Sequence, residues 1–377
     1  MKDLNQCRKE IDKIDKELVV LFEKRMDIAI NVAEYKKENN LPILNSTREK
    51  EVIDKNIENL KNKEYANSAR KFFAGIMEVS RSIQGKFISQ DDEAKIENID
   101  IDKTKKLGFQ GVRGSFSEEA LLKYFGENTN VTPYEEFEDV FEALKNNNID
   151  YGILPIENSC TGSIRDVYDL LSKYGFYIVA EECIKINQHL IGIEGATIDS
   201  IEEVYSHPQG FEQSNEFLKN YHNWKLIPYH NTATSAKMVH DLNDKTKSAI
   251  ASERAAKIYG LNIIKKAINN NKDNHTKFII IARDLIVREN CNKISVVFSL
   301  EDEAGTLYRL LKYFAENSIN MIKIESRPNK HTSWKYLLYV DFEGNLYNEE
   351  VQNAIKLIKK NSGYFKLLGN YKSFSAI

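Results

Sequence analysis

Four polar clusters sit at the ends of short apolar runs in the middle of this 377-residue chain. Gly111-Val112-Arg113-Gly114-Ser115-Phe116-Ser117 follows the apolar stretch 106–110 and leads into a helical pattern. Such a turn aims backbone N–H groups at an anion. Pro155-Ile156-Glu157-Asn158-Ser159 closes a second apolar strand, and Ser206-His207-Pro208-Gln209 a third. Asn274-His275-Thr276-Lys277-Phe278 enters a strand expected over 277–281. Ligands of open α/β sheets gather at strand ends. Four such clusters within one region predict a ligand cleft, with Ser117, Glu157, Asn158, Ser159, Ser206, His207, Gln209, Thr276 and Lys277 as its polar lining.

The first ninety residues carry a different chemistry. A helix can run from about residue 3 to residue 38 without a breaker. Its apolar seam reads Leu4, Cys7, Ile11, Ile14, Leu18, Leu21, Arg25, Ile28, Val32, Tyr35, in alternating steps of three and four as in a coiled coil. Arg25 occupies a seam slot, and a buried guanidinium is costly unless an anion meets it. Lys36 lies eleven residues on, about three turns, and shares that face. On a third helix, expected over 67–87, Ser80 and Gln84 share one face among Phe73, Ile76, Met77 and Ile83. Cations and neutral hydrogen-bonding groups inside apolar stripes call for a buried polyanion. No nucleophile–base pair accompanies them. The chemistry that fits is confinement and electrostatic complementarity acting on a small dicarboxylate that rearranges unimolecularly.

Glycine placement shows the elements that must hold these groups. None occurs before Gly75, and from Gly108 onward glycine recurs between apolar runs. An all-helical head (1–90) thus precedes a mixed α/β region (105–285), across a charge-rich linker (91–104). After a break near 288–290 the order is strand (293–300), helix (306–316), strands (319–326 and 334–342), helix (349–360) and strand (364–368). That order suits a small split-βαβ domain over 292–377. A net charge of −3, from 53 basic and 56 acidic residues, argues against a dedicated nucleic-acid binder. No apolar run approaches the roughly 20 residues that span a bilayer. The N-terminus lacks a signal-peptide core, and Cys7, Cys160, Cys183 and Cys291 have no metal-ligand spacing. A cytoplasmic protein without metal or membrane partner is expected.

The residues support three resemblances. Residues 1–90 resemble the all-helical class of chorismate mutase, through Arg8, Ile11-Asp12, Ile14-Asp15, Arg25, Lys36, Pro42-Ile43, Arg48-Glu49, Ser80 and Gln84. The resemblance implies that Arg8, Arg25, Lys36, Asn45, Arg48, Glu49, Ser80 and Gln84 form the substrate pocket. Arg8 and Arg25 would clamp carboxylates, while Lys36 and Gln84 would bond the ether oxygen as it departs. Asn45 stands where that family usually has Asp, which implies weaker binding. The four central clusters, in order and at comparable spacing, resemble prephenate dehydratase. The implied fold is two α/β lobes like type II periplasmic binding proteins, with Thr276 hydrogen-bonded to the departing hydroxyl. Glu157, His207 or water could supply the proton. Lys277 replaces the usual Arg and cannot make its bidentate carboxylate contact.

Residues 292–377 resemble a ferredoxin-like βαββαβ ACT domain, which binds amino acids, through Gly305-Thr306-Leu307 and Glu325-Ser326-Arg327-Pro328. Those seven residues are the implied phenylalanine contacts, Thr306 replacing a usual Ala. The whole chain therefore resembles the bifunctional chorismate mutase–prephenate dehydratase family. This implies conversion of chorismate to prephenate and then to phenylpyruvate, inhibition by L-phenylalanine, no cofactor, and a homodimer or dimer-based oligomer. Two rivals remain at this level: an arogenate dehydratase and a non-catalytic amino-acid sensor.

Overall fold

A computed structural model describes residues 3–38, 46–89, 101, 105–300, 303–328 and 336–374. The chain divides into two compact units, Met1–Lys95 and Ile96–Ile377.

The first unit holds α1 (Leu4–Glu38), α2 (Ser46–Glu58) and α3 (Ala66–Ser89). Neither glycine nor proline interrupts the 35 residues of α1, so its backbone ladder runs unbroken. Its core joins Met26, Ala29 and Ala33 of α1 to Ile57 and Met77. The seam read from the sequence lies elsewhere. Leu4, Ile11, Ile14, Leu18, Leu21 and Ile28 face outward, between 44% and 63% exposed. An apolar period marks a face that wants burial. It does not say which neighbour covers it.

The second unit starts with β1 (Leu107–Gln110), α4 (Phe116–Phe125), β2 (Val131–Tyr134), α5 (Phe137–Lys145), β3 (Tyr151–Asn158), β4 (Gly162–Ser163), α6 (Arg165–Tyr174) and β5 (Tyr177–Lys185). The chain then leaves this lobe to build a second one. That lobe contains β6 (His189–Gly192), β7 (Glu203–Ser206), α7 (Pro208–Gln213), α8 (Asn215–Leu218), β8 (Lys225–Pro228), α9 (Thr232–Leu242), β9 (Lys247–Ala251), α10 (Glu253–Ile258) and β10 (Asn262–Lys265). Its strands form a separate sheet in the order β10-β6-β9-β7-β8. The chain returns through β11 (His275–Ala282), which inserts between β3 and β5. This strand is longer than the sequence suggests, so Thr276, like Lys277, is a paired strand residue rather than part of its approach. Ile101, read as linker, is buried with Leu107 and Phe109.

The C-terminal segment adds β12 (Lys293–Ser299), α11 (Thr306–Glu316), β13 (Met321–Pro328), β14 (Tyr336–Glu343), α12 (Glu349–Lys360) and β15 (Tyr364–Tyr371). Alternation along its strands serves two cores. Val296, Phe298, Val340 and Phe342 pack with Leu310, Phe314 and Ile358 of the two helices. Val297, Tyr339, Leu368 and Tyr371 face the other way and join the core of the first lobe. The sheets merge, in the order β13-β14-β12-β15-β5-β11-β3-β1-β2. At the seam β15 runs parallel to β5, with Gly369 opposite Ile178. A Cβ on Gly369 would lie 2.1 Å from the Ile178 carbonyl oxygen, so only glycine permits this approach. Gly369→Val should lower the unfolding midpoint of this unit by about 5 °C or more. An unchanged midpoint by calorimetry would show that the seam does not hold the two parts together.

Candidate functional sites

Asn158, at the end of β3, organises the central cluster. Its side chain is 5% exposed. Its amide nitrogen donates to Asn274 Oδ1 at 2.7 Å, Thr276 Oγ1 at 2.8 Å and the His275 carbonyl at 3.2 Å. Its oxygen accepts from the Cys160 and Thr161 backbone N–H groups at 2.9 and 3.1 Å. Strand register puts Thr276 directly opposite Asn158. Because Thr276 Oγ1 accepts from Asn158, its own proton remains to donate to a ligand. Ser159 joins the same corner, accepting from the His275 N–H at 2.9 Å. The second lobe reaches this hairpin through Gln209, which donates to Thr161 Oγ1 at 3.3 Å. His207 caps α7, its Nδ1 accepting from the Gln209 N–H at 3.2 Å. Burial holds its pKa below the ordinary 6.5, so the ring is neutral near pH 7 with its proton on Nε2. Ser206 is fully buried and donates to the Ile250 carbonyl at 3.0 Å.

Glu157 and Lys277 do not share this corner. They face each other across the same two strands, one residue along from Asn158 and Thr276. Neighbouring strand residues point to opposite faces. Both side chains therefore lie on the face shared with the C-terminal segment, 3.8 Å apart, beside Tyr168, Lys293, Ser295 and Asp341. The glycine-rich turn after β1 also differs from an open anion cradle. The Gly114 N–H donates to the Glu118 carboxylate at 2.7 Å, and Arg254 of the second lobe lies 3.3 Å from the same carboxylate. The chain supplies its own anion there. Ser117 is buried beneath this turn on α4. Asn274, Thr161 and the Glu118–Arg254 pair were not singled out from sequence. Asn274 and Thr161 lie within or beside quoted motifs, while the pair is joined only by the fold.

In the helical unit, Arg25 donates to Ser80 Oγ and, at 3.4 Å, to the Ile76 carbonyl. Ser80 Oγ in turn donates to that carbonyl at 2.8 Å. Burial lowers the pKa of both Arg25 and Lys36, and the charge of Glu49 opposes the shift in each case. Arg25, Lys36, Glu49 and Ser80 thus share one neighbourhood. Gln84 lies one turn beyond Ser80, and its buried Oε1 has no hydrogen-bond partner among the described residues. Arg48 pairs with Glu51 at 3.3 Å near the surface. Arg8 is exposed near the start of α1, far from this cluster, and Asn45 lies outside the described residues.

In the C-terminal segment, Gly305 takes a left-handed φ of 82° at the start of α11, followed by Thr306 and a 42% exposed Leu307. The end of β13 lies at the same end of the sheet. Its residues divide between the two faces. Ser326 and Pro328 are exposed. Ser163 donates to Glu325, and Arg327 pairs with Asp169 at 3.2 Å.

A helical unit with cations around buried neutral hydrogen-bonding groups, followed by a two-lobed α/β unit centred on a strand threonine, defines a two-site enzyme. Residues 107–285 match the family profile of prephenate dehydratase, and residues 7–85 that of chorismate mutase type II. The bifunctional chorismate mutase/prephenate dehydratase of Aquifex aeolicus (strain VF5) is 33% identical over 378 residues, covering 98% of both chains. Arogenate dehydratase/prephenate dehydratase 2 of Arabidopsis thaliana is 38% identical, covering 73% of this chain and 74% of its own. The structure of Arthrobacter aurescens prephenate dehydratase in complex with L-Phe matches with a TM-score of 0.65 and 27% identity, over 71% of this chain and 90% of that one.

The chain belongs to the bifunctional chorismate mutase/prephenate dehydratase family. It rearranges chorismate to prephenate and decarboxylates and dehydrates prephenate to phenylpyruvate, on the route to phenylalanine. No described helix is long and apolar enough to cross a membrane. Because Thr276 belongs to the second unit, Thr276→Ala should remove phenylpyruvate formation and leave chorismate consumption intact, so that prephenate accumulates. Chromatography of products after feeding chorismate measures both. Undiminished phenylpyruvate would take Thr276 out of the mechanism.

Proposed function

We propose that this cytoplasmic enzyme works as a homodimer whose mutase pockets are each built from two chains, and that L-phenylalanine restrains its dehydratase through an ACT domain at the C-terminus. The outward apolar face of α1 carries the first part of this reading. Leu4, Ile11, Ile14, Leu18, Leu21 and Ile28 form a stripe that a second α1 would cover. Geometry adds that Arg8 and Arg25 lie seventeen residues apart on one unbroken helix, about 25 Å at 1.5 Å per residue. Chorismate is too small for both. An antiparallel partner helix brings Arg8 of one chain toward Arg25, Lys36, Ser80 and Gln84 of the other. There the Gln84 amide nitrogen and the Lys36 ammonium would donate to the ether oxygen. Arg8→Ala and Lys36→Ala should each abolish the mutase alone. Refolded together in equal amounts they should regain about a quarter of wild-type activity, since half the dimers are mixed and half their sites are whole. No recovery, with mixed dimers confirmed, would defeat the shared pocket.

At the dehydratase site the bond to the departing carboxylate breaks, and its electron pair makes the ring aromatic as the ring hydroxyl leaves. Thr276, polarised by the Asn158 amide, donates to that oxygen. Glu157 faces away and the neutral His207 ring is too weak an acid, which leaves water as the proton source. An arogenate reading is favoured by the 38% identical Arabidopsis relative. Turnover of arogenate exceeding that of prephenate would establish it. The sensor reading falls with membership of an enzyme family.

The regulatory reading draws on the βαββαβ order of the C-terminal segment and its ferredoxin-like strand order β13-β14-β12-β15. The L-Phe complex of the Arthrobacter relative supports the ligand. Residues 305–307 and 325–328 lie at the same end of this sheet. Val297 and Leu368 are part of the first-lobe core, so a point substitution tests the idea better than a truncation. Leu307→Asp should raise the phenylalanine concentration for half-inhibition about tenfold or more. An unchanged inhibition curve would place the effector elsewhere.

A further inference from the structure

The hairpin that carries Asn158 is held from its far side by the C-terminal segment. β3 and β4 pair through Glu157 with Ser163 and Asn158 with Gly162. Lys323, on β13, donates to Ser163 Oγ at 2.7 Å and to the Tyr168 hydroxyl at 2.9 Å. Its ammonium lies 3.4 Å from Glu157 and 3.4 Å from Glu325. The Ser163 hydroxyl in turn donates a hydrogen bond to Glu325. Lys277 approaches the second oxygen of Glu157. The Lys323 side chain is 18% exposed, so these charges are weakly screened.

We propose that Lys323 is a positioning residue for dehydration. It contacts neither Asn158 nor Thr276, yet it binds both residues that flank Asn158 and Gly162 in the hairpin ladder. Fixing Glu157 and Ser163 fixes the hairpin register. That register sets where the Asn158 amide meets Thr276 Oγ1. Displacements near 1 Å at such a group cost up to about a hundredfold in rate. The chain thereby ties its dehydration geometry to the docked state of the C-terminal segment, through the same strand that carries residues 325–328. The proposal rests on the reading that Asn158 and Thr276 form the dehydration site.

Lys323→Met removes the charge and keeps the stem, while Lys323→Arg keeps the charge. Steady-state kinetics with prephenate should show kcat about tenfold lower in the Met variant, KM within about twofold, and most of kcat recovered by Arg. Glu157→Gln combined with Lys323→Met should lose no more than the worse single variant, because both remove one linkage. Chorismate turnover of the same samples normalises for chain concentration. A Met variant with wild-type kcat, a raised KM at unchanged kcat, no recovery by Arg, or losses that multiply in the double variant would each overturn the proposal. Should the Met variant fail to fold, Ser163→Ala removes the shared hydroxyl and must lower kcat in the same way. A wild-type kcat there overturns the proposal equally. Thr276→Ala run alongside separates the two ideas. If it stays active, the site reading fails. If it is dead while Lys323→Met is wild-type, only the positioning role fails.

Discussion

Lys293 is buried with its charge between two carboxylates, 2.7 Å from Glu181 and 3.1 Å from Asp341. Its ammonium also sits 5.4 Å over the Tyr371 ring. Burial works against the charged form, but Tyr371, Asp341 and Glu181 together outweigh it and raise the pKa. Measured against an apolar replacement, such a cluster adds little stability; breaking one partner costs roughly 3–5 kcal/mol. It discriminates by geometry. Glu181 comes from β5, and Lys293 and Asp341 from the C-terminal sheet, so the charges close only in one docking. The seam at Gly369, the shared core around Val297 and Leu368, and the reach of β13 to the Ser163 hairpin all assume that docking.

The two catalytic units use opposite means. The mutase unit collects charge on helices, where positions one turn apart share a face and long side chains reach one another. The dehydratase unit places short, neutral groups on paired strands. There the register, rather than side-chain length, decides which atoms meet. Asn158 illustrates the difference. Both polar ends of its amide are occupied, so it has almost no freedom left, and Thr276 inherits that rigidity.

Much of this was legible in the sequence, for reasons that vary by element. The helices Thr306–Glu316 and Glu349–Lys360 have the bounds expected from their apolar period. The motif around Thr276 gives a run of polar residues at a strand end, but not which of them share a corner. Glu157, Asn158, Thr276 and Lys277 read as one polar group where two strands end or begin. The strands continue through them, and the two-residue period sends alternate side chains to opposite faces. The α1 stripe is a different case. Its period was right, but sequence periodicity does not separate a face covered within the unit from one that is left outward. The Glu118–Arg254 pair and the Lys323 contacts join residues far apart in the chain, and no local pattern marks them.

The excursion from β5 into the second lobe and back through β11 has a consequence for how the chain is made. β11 lies between β3 and β5, and β15 lies on the far side of β5. The large sheet therefore lacks a central strand until the second lobe has been synthesised, and its seam until the last strand emerges. The second lobe is built from contiguous sequence and can close early. On the ribosome β3 and β5 must wait with apolar edges unpaired, the state in which strands find wrong partners. Assembly of the dehydratase sheet is thus a late event, completed by its C-terminal end.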